Sequence, residues 1–203
     1  MLKTVDYYFA PNSPWTYFGH QRFIDLIMSH QGAMNLKPVD YGKIFPLSGG
    51  VPVAKRAPQR QAYRLVELRR WRDHLGIPLN LEPKFFPVNP ELAALVIIAA
   101  GTNKSAVAPG LAYDFMRAVW VEERDIADPQ TVKNIVKGKG LPADELMALA
   151  QSPESKATYD AYTKEAIDRG VFGAPSFYYK DELFWGQDRL DFLDRALAKQ
   201  EAR

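Results

Sequence analysis

The Ser13-Pro14 pair lies where a predicted strand ends and a predicted helix begins. The N-terminus of a helix presents unpaired backbone N–H groups and the positive end of the helix dipole, so it favours an anion. Ser13 therefore has two interpretations: an N-cap with proline at the first helical position, or a hydroxyl that donates to a bound anion. One serine can fill both roles.

Two segments near the C-terminal end could also contact a ligand. Ala174-Pro175 precedes a predicted strand. It is either a corner between a loop and that strand, or a cis peptide that turns the main chain of Ala174 toward the helix after Ser13. Gln187-Asp188 opens the last predicted helix, where Asp188 is an ordinary first-turn acid or a carboxylate that binds an ammonium group.

Basic residues are concentrated between Lys55 and His74, where seven Lys and Arg face two acids. Most of this charge is interpreted as a solvated helix face. One or two of these cations could hold a carboxylate through paired, charge-assisted hydrogen bonds. Further on, Asn89 either caps the next helix or reaches a ligand.

The composition excludes several kinds of chemistry. The 203 residues include no cysteine, which rules out disulfides, thiolate-ligated metals and a Cys-x-x-Cys redox pair, so a thiol reaction would need a thiol from outside the chain. A net charge of +2 gives no reason to expect a nucleic-acid partner. The three histidines fall in predicted helices without a Gly-x-Ser-x-Gly motif, and no cluster has metal-ligand spacing, so we expect neither a Ser-His-Asp triad nor a metal.

Periodicity predicts an α/β protein in which a run of helices separates a first strand-helix-strand unit from a final hairpin and helix. Strands are predicted at 4–9 and 36–39 with a helix between them, which favours a parallel pair. A connector rich in proline and glycine follows from 41 to about 58, and then come helices at about 58–75, 90–100, 108–123, 129–136, 143–150 and 153–169. A hairpin at 176–179 and 182–185 precedes a last helix from about 187.

The N-terminal residues lack the apolar region and the small-residue cleavage site of a secretory signal. The most apolar stretch, 92–100, is far shorter than the roughly 20 residues that cross a bilayer. We therefore expect a cytoplasmic protein without a membrane span.

Residues 8–17 read Tyr-Phe-Ala-Pro-Asn-Ser-Pro-Trp-Thr-Tyr, residues 170–177 Gly-Val-Phe-Gly-Ala-Pro-Ser-Phe, and residues 183–190 Leu-Phe-Trp-Gly-Gln-Asp-Arg-Leu. Together these motifs resemble the 2-hydroxychromene-2-carboxylate isomerases and kappa-class glutathione transferases, within the DsbA-like group. The resemblance implies a thioredoxin-like fold (βαβ…ββα) from residues 1–43 and 170–203, interrupted by an all-helical insertion domain at 44–169. It also implies a homodimer.

The same resemblance implies that glutathione is the cofactor. Ser13 would be the catalytic residue and would hydrogen-bond the glutathione sulfur. Ala174, before a cis Pro175, would pair main chain to main chain with the cysteinyl part, while Gln187 and Asp188 would hold the γ-glutamyl end.

Other residues are candidates for the rest of the site. Arg60 resembles the position of a glutathione-binding lysine. The implied substrate is an aromatic, pyruvate-like acid, for which a cation and an aromatic wall are expected, and Lys43, Phe45, Phe86 and Asn89 are the candidates beside Arg60. One motif departs from the family, because residues 48–50 read Ser-Gly-Gly where relatives often have Ser-Gly-Asn.

The implied reaction is reversible addition of the glutathione thiolate to a conjugated carbon, ring opening and rotation, and elimination of the thiolate. The motif at 183–190 favours this isomerase over a kappa-type transferase or peroxidase, which is the first alternative. The second alternative is a non-catalytic thioredoxin-like module that binds a peptide beside Pro175.

Overall fold

The computed structural model describes residues 2–101 and 106–199. The strands are β1 (Thr4–Phe9), β2 (Ala33–Pro38), β3 (Ser176–Tyr179) and β4 (Glu182–Trp185). The helices are α1 (Pro14–Ser29), α2 (Tyr41–Ser48), α3 (Pro58–Leu75), α4 (Glu91–Ala99), α5 (Val107–Trp120), α6 (Pro129–Gly138), α7 (Ala143–Ala150), α8 (Pro153–Asp168) and α9 (Leu190–Ala198), with 3-10 turns at Val53–Lys55 and Gln187–Arg189.

The four strands of the described residues form one sheet in the order β2-β1-β3-β4. Strand β1 runs parallel to β2 and antiparallel to β3, and β3 pairs with β4 as a hairpin. This is the βαβ…ββα order that the sequence predicts, with helices α2 to α8 between its two halves, so the predicted fold class is confirmed. The domain boundaries at residues 44 and 170 stay a prediction.

The two faces of β1 bury different side chains, as the period of a strand requires. Tyr7 lies on the face toward α1, where its ring centroid is 4.7 Å from that of Phe23 and 5.1 Å from that of Phe177. Tyr8 lies on the opposite face, in a second cluster that contains Val39 of the loop after β2. The sheet is therefore covered on both faces, by α1 on one and by α2 and α8 on the other.

An ion-pair network joins α8 to the sheet. Lys37 of β2 lies 3.0 Å from Asp6 of β1 and 2.8 Å from Glu165 of α8. Arg169, just after α8, lies 2.6 Å from Asp6. The buried Lys37 and the three partly buried charges around it are therefore paired, which is the condition under which buried ions are tolerated.

The predicted connector from 41 to 58 is wrong in part, because it contains helix α2 and a 3-10 turn. The Asp40 carboxylate caps α2 by accepting from the N–H two residues further on (2.8 Å), and Gly49, at φ +73°, ends it. The helix buries Tyr41 and Ile44 in the cluster on the Tyr8 face. Tertiary packing therefore outweighs the helix-breaking composition of this segment.

His20 of α1 is completely buried between the sheet and α5. Its Nε2 lies 2.9 Å from the Pro109 carbonyl, which can only accept, so Nε2 carries the hydrogen and Nδ1 accepts from the Tyr7 hydroxyl at 3.2 Å. Burial lowers the pKa of His20 from 6.5 to about 4, although the Pro109 carbonyl opposes the shift. The imidazole is therefore neutral in the folded protein at neutral pH.

We expect His20 to make the protein less stable in mild acid. The unfolded chain binds a proton below pH 6.5 and the folded one only near pH 4, so the free energy of unfolding falls by up to about 1.4 kcal/mol per pH unit in that window. Urea unfolding at several pH values should show that the stability advantage of the wild type over His20→Gln shrinks from pH 6.5 to 4. The exposed His74, changed to Gln, is the control and should retain the wild-type slope. Parallel pH profiles for wild type and His20→Gln would contradict this.

Candidate functional site

Ser13 is the N-cap of α1 and is only partly buried. Its backbone is extended (φ −84°, ψ 126°), and its Oγ accepts from the Thr16 N–H at 3.2 Å. The N-cap interpretation is therefore confirmed. Accepting that bond leaves the hydroxyl hydrogen of Ser13 to be donated to a ligand at the helix N-terminus.

The segment before β3 is held firmly on both sides of Ala174. The Gly173 carbonyl accepts from the Tyr41 hydroxyl (2.8 Å) and from the Ser176 hydroxyl (2.7 Å). The Pro175 carbonyl accepts from the Gly186 N–H at 2.9 Å. The Ala174-Pro175 peptide bond is cis, as the second of the two sequence interpretations expects.

The main chain of Ala174 itself has no such partner. Among the described residues, no hydrogen bond involves either its N–H or its C=O. Ala174 is also partly exposed. A main-chain N–H and C=O that lack partners can pair with the extended backbone of a bound peptide, as an added β-strand does.

A close contact at Gly19 brings the helix after Ser13 against the other two segments. A Cβ atom added to Gly19 would lie 2.9 Å from Gln187 Cβ and 3.7 Å from Pro175 Cγ. Glycine is therefore required for α1 to approach this closely. The contact places Pro175 and Gln187 beside the helix whose first turn carries Ser13.

Gln187 and Asp188 differ in their surroundings. Gln187 is 2% exposed, and both its main-chain oxygen and its Oε1 accept from Arg22 of α1, at 3.2 and 2.5 Å. Asp188 is exposed, and its carboxylate is paired with Arg189 at 2.7 Å. Asp188 thus presents a carboxylate at the surface, whereas the Gln187 side chain ties the turn to α1. Their roles in binding stay predictions.

A second group of side chains packs against the residue before Ser13. The Asn12 carbonyl accepts from Trp120 Nε1 (3.2 Å), and the Asn12 side-chain amide donates to the Val88 carbonyl (2.8 Å). The Phe86 ring lies 4.8 Å from the Trp120 ring, centroid to centroid. The guanidinium of Arg64 lies over both rings, with Cζ 5.0 Å from the Phe86 centroid and 5.7 Å from that of Trp120.

The remaining candidates are distributed over several places. Lys43 forms an ion pair with Asp160 at 2.8 Å, and Phe45 packs on Tyr41 with ring centroids 5.6 Å apart. The Asn89 side chain accepts from the N–H of Glu91 at 3.0 Å, the capping role that is one of its two interpretations. Arg60 is exposed in the first turn of α3. Among the substrate candidates, Phe86 packs on Trp120, which donates to the carbonyl of Asn12, the residue before Ser13.

Sequence reasoning missed the position of Arg64. The sequence presents it as one of seven basic residues, and its burial depends on rings 22 and 56 positions away along the chain. The apolar stripe of α3 places Leu68 in the core, and Arg64 lies one turn earlier on the same side. That spacing is the signal that could have found it.

Metal chemistry receives no support from the described ranges, where no group of His, Cys, Asp or Glu could hold an ion. No helix in those ranges has the length and hydropathy to span a bilayer.

Comparisons with known proteins agree with this geometry. The family model for a DSBA-like thioredoxin domain matches residues 4–198. The 2-hydroxychromene-2-carboxylate isomerase of Sphingobium xenophagum is 29% identical over 97% of this chain and 99% of its own, and that of Pseudomonas putida is 30% identical over 96% and 94%. Human glutathione S-transferase kappa 1 is 23% identical over 98% and 92%.

Among solved structures, a 2-hydroxychromene-2-carboxylate isomerase superposes with a TM-score of 0.82 at 26% identity, covering 96% of this chain and 94% of that one. The chain therefore belongs to the DsbA-like thioredoxin family, in the group that contains the 2-hydroxychromene-2-carboxylate isomerases. The resemblance drawn from the three sequence motifs is confirmed.

The contact at Gly19 predicts the effect of one added methyl group. Gly19→Ala should lower the free energy of unfolding by about 1–3 kcal/mol, because the new Cβ overlaps the backbone end of Gln187. Gly110→Ala in α5 is the matched control, since its Cβ meets nothing closer than 3.7 Å and alanine favours a helix by about 1 kcal/mol. Urea unfolding measures both. Equal effects of the two substitutions would show that α1 does not need this approach.

Proposed function

We propose that this protein is a glutathione-dependent isomerase of 2-hydroxychromene-2-carboxylate-type aromatic acids. Its relatives support a glutathione-related isomerase or transferase, and the relatives with the higher identities are named as isomerases. One combination of features carries the proposal. Ser13 has a hydroxyl hydrogen to donate at a helix N-terminus, and the main chain of Ala174 has no hydrogen-bond partner among the described residues. The chain has no cysteine, so the thiol must come from a ligand.

The candidate residues carry the groups that glutathione would need. Ala174 offers a main-chain donor and acceptor to the cysteinyl residue of the tripeptide. Asp188 offers an exposed carboxylate to the γ-glutamyl ammonium, beside the turn that Gln187 anchors. Arg60, exposed at the start of α3, can bind a carboxylate of the tripeptide. When bound, glutathione supplies the thiolate that adds reversibly to a conjugated carbon of the substrate and is released unchanged.

Ser13 would stabilise negative charge on the sulfur. A free thiol has a pKa near 8.5, so only a few per cent is ionised at neutral pH. A hydrogen bond from the Ser13 hydroxyl and the positive end of α1 both favour the ionised form. Thr16 lies one turn further on at the same helix end, and its buried hydroxyl oxygen has no hydrogen-bond partner among the residues that the structure describes.

The substrate side of the site is less defined. Phe86 supplies an aromatic wall beside Asn12. Lys43, Phe45 and Asn89 stay candidates, although Lys43 and Asn89 already have partners within the protein. We also propose that the protein works as a cytoplasmic homodimer.

Isomerisation of 2-hydroxychromene-2-carboxylate, followed by absorbance, tests the proposal. We expect turnover with glutathione and none with S-methylglutathione, which occupies the same peptide site but has no thiol. Turnover without any thiol would contradict the mechanism. Conjugation of 1-chloro-2,4-dinitrobenzene without isomerisation would instead favour the kappa-type transferase, and no affinity for glutathione in calorimetry would favour the non-catalytic peptide-binding module.

Ser13→Ala should reduce turnover by roughly 10- to 150-fold at saturating glutathione, because one hydrogen bond to a charged group is worth about 1.5–3 kcal/mol. Glutathione affinity should change little, since the main chain of Ala174 remains. Ser152→Ala is the matched control: Ser152 also precedes a proline and caps α8 by accepting at 3.2 Å. Each substitution should cost about 1 kcal/mol of stability.

Only the Ser13 variant should lose activity. Equal turnover of the Ser13→Ala and Ser152→Ala proteins would reduce Ser13 to a helix cap and remove the role proposed for its hydroxyl.

A further inference from the structure

Arg64 of α3 is a buried cation without an anion. It is 8% exposed, its Nη2 atom is buried without a hydrogen-bond partner, and none of the hydrogen bonds or ion pairs between described residues involves it. Lys37 is equally buried, at 8% exposed, but it lies within 3.0 Å of two carboxylates. The same protein thus pairs one buried cation and leaves the other unpaired.

A nearby positive charge raises the free-energy cost of burying Arg64 without an anion. The neighbouring charge that acts on it is Arg56, and Arg56 in turn lies near Arg60. Burial, with a smaller effect of Arg56, lowers the pKa of Arg64 to about 10, so it remains a cation at neutral pH. The nearby charges that act on Arg64 and on Arg56 are thus both positive.

The packing of Arg64 directs its hydrogen-bond donors. The guanidinium lies over two aromatic rings, those of Phe86 and Trp120. The N–H donors of a guanidinium form a planar fork that matches the two oxygens of a carboxylate, and Arg64 has no hydrogen bond to another described residue that would occupy this fork. Trp120 also donates to the carbonyl of Asn12, the neighbour of Ser13. Arg64 therefore contacts Trp120, and Trp120 contacts the backbone next to Ser13, whose hydroxyl is proposed to bind the sulfur.

We propose that Arg64 binds the carboxylate of the aromatic acid substrate, with Phe86 and Trp120 holding the guanidinium in place. The proposal rests on the proposed function and adds to it the residue that selects an acid over a neutral aromatic compound. It replaces the expectation that the cation would be Lys43 or Arg60, since Lys43 is paired with Asp160 and Arg60 is exposed.

Calorimetry with a matched pair of ligands tests this assignment. Benzylidenepyruvate and benzylideneacetone differ in carrying a carboxylate or a methyl group on the carbonyl carbon, and neither has the phenol that closes the ring. The protein is saturated with S-methylglutathione, so that no thiol addition occurs. Arg64→Met should weaken benzylidenepyruvate on the order of 10- to 100-fold and leave benzylideneacetone unchanged.

Two further variants separate binding from folding. Arg64→Lys keeps the charge but loses the planar fork, so it should recover part of the affinity. Arg69→Met removes an exposed arginine from the same helix and should change nothing. The free energy of unfolding of Arg64→Met should equal or exceed that of the wild type, because the substitution removes an unpaired buried charge. A purely structural arginine would instead leave the variant destabilised and both ligands weakened equally.

The outcomes distinguish this assignment from the proposed function. Unchanged benzylidenepyruvate affinity in Arg64→Met, or no binding of that acid by the wild type, overturns the role of Arg64. A selective loss of S-methylglutathione affinity in Arg64→Met would also overturn it, because the carboxylate would then be that of the tripeptide. An absence of isomerisation, with carboxylate binding at Arg64 intact, would refute the proposed function alone.

Discussion

The candidate site depends on the close approach of α1 to the segments at Pro175 and Gln187. Gly19 makes that approach possible, since any Cβ would enter the space of Gln187. The two hydrogen bonds from Arg22 to Gln187 hold the same contact one turn further along α1. The first turn of α1 carries Ser13, so packing in the middle of the helix helps to set the position of Ser13 relative to Pro175 and Gln187.

The sequence predicts most of the helices and strands around the site, because the residues that mark the ends of an element lie within it or beside it. Proline after Ser13, Asp128 and Ser152 indicates the first turn of α1, α6 and α8, and Gly76 marks the end of α3. These patterns place the ends of elements within a few residues. They also place Ser13 at a helix N-terminus, where free N–H groups and the positive end of the helix dipole favour an anion.

The parts that the sequence does not predict depend on contacts between distant segments. Helix α2 forms despite its proline and its glycine because Tyr41 and Ile44 pack into a hydrophobic cluster that α8 helps to build. The burial of Arg64 depends on Phe86 and Trp120, which belong to two other segments. Neither effect has a local pattern, since a basic residue on a helix is usually solvated.

The two halves of the proposed chemistry are carried by different parts of the fold. Ser13 caps α1 and Ala174 lies just before β3, within the motifs shared with the family. Arg64, Phe86 and Trp120 belong to the segment between β2 and β3. A change in the helical segment can therefore alter which acid is bound without moving the groups proposed to hold the sulfur. Because function resides in such sites rather than in the fold, relatives with the same sheet can differ in substrate. The unpaired charge of Arg64 is then a cost to stability that the free protein bears and that a bound carboxylate offsets.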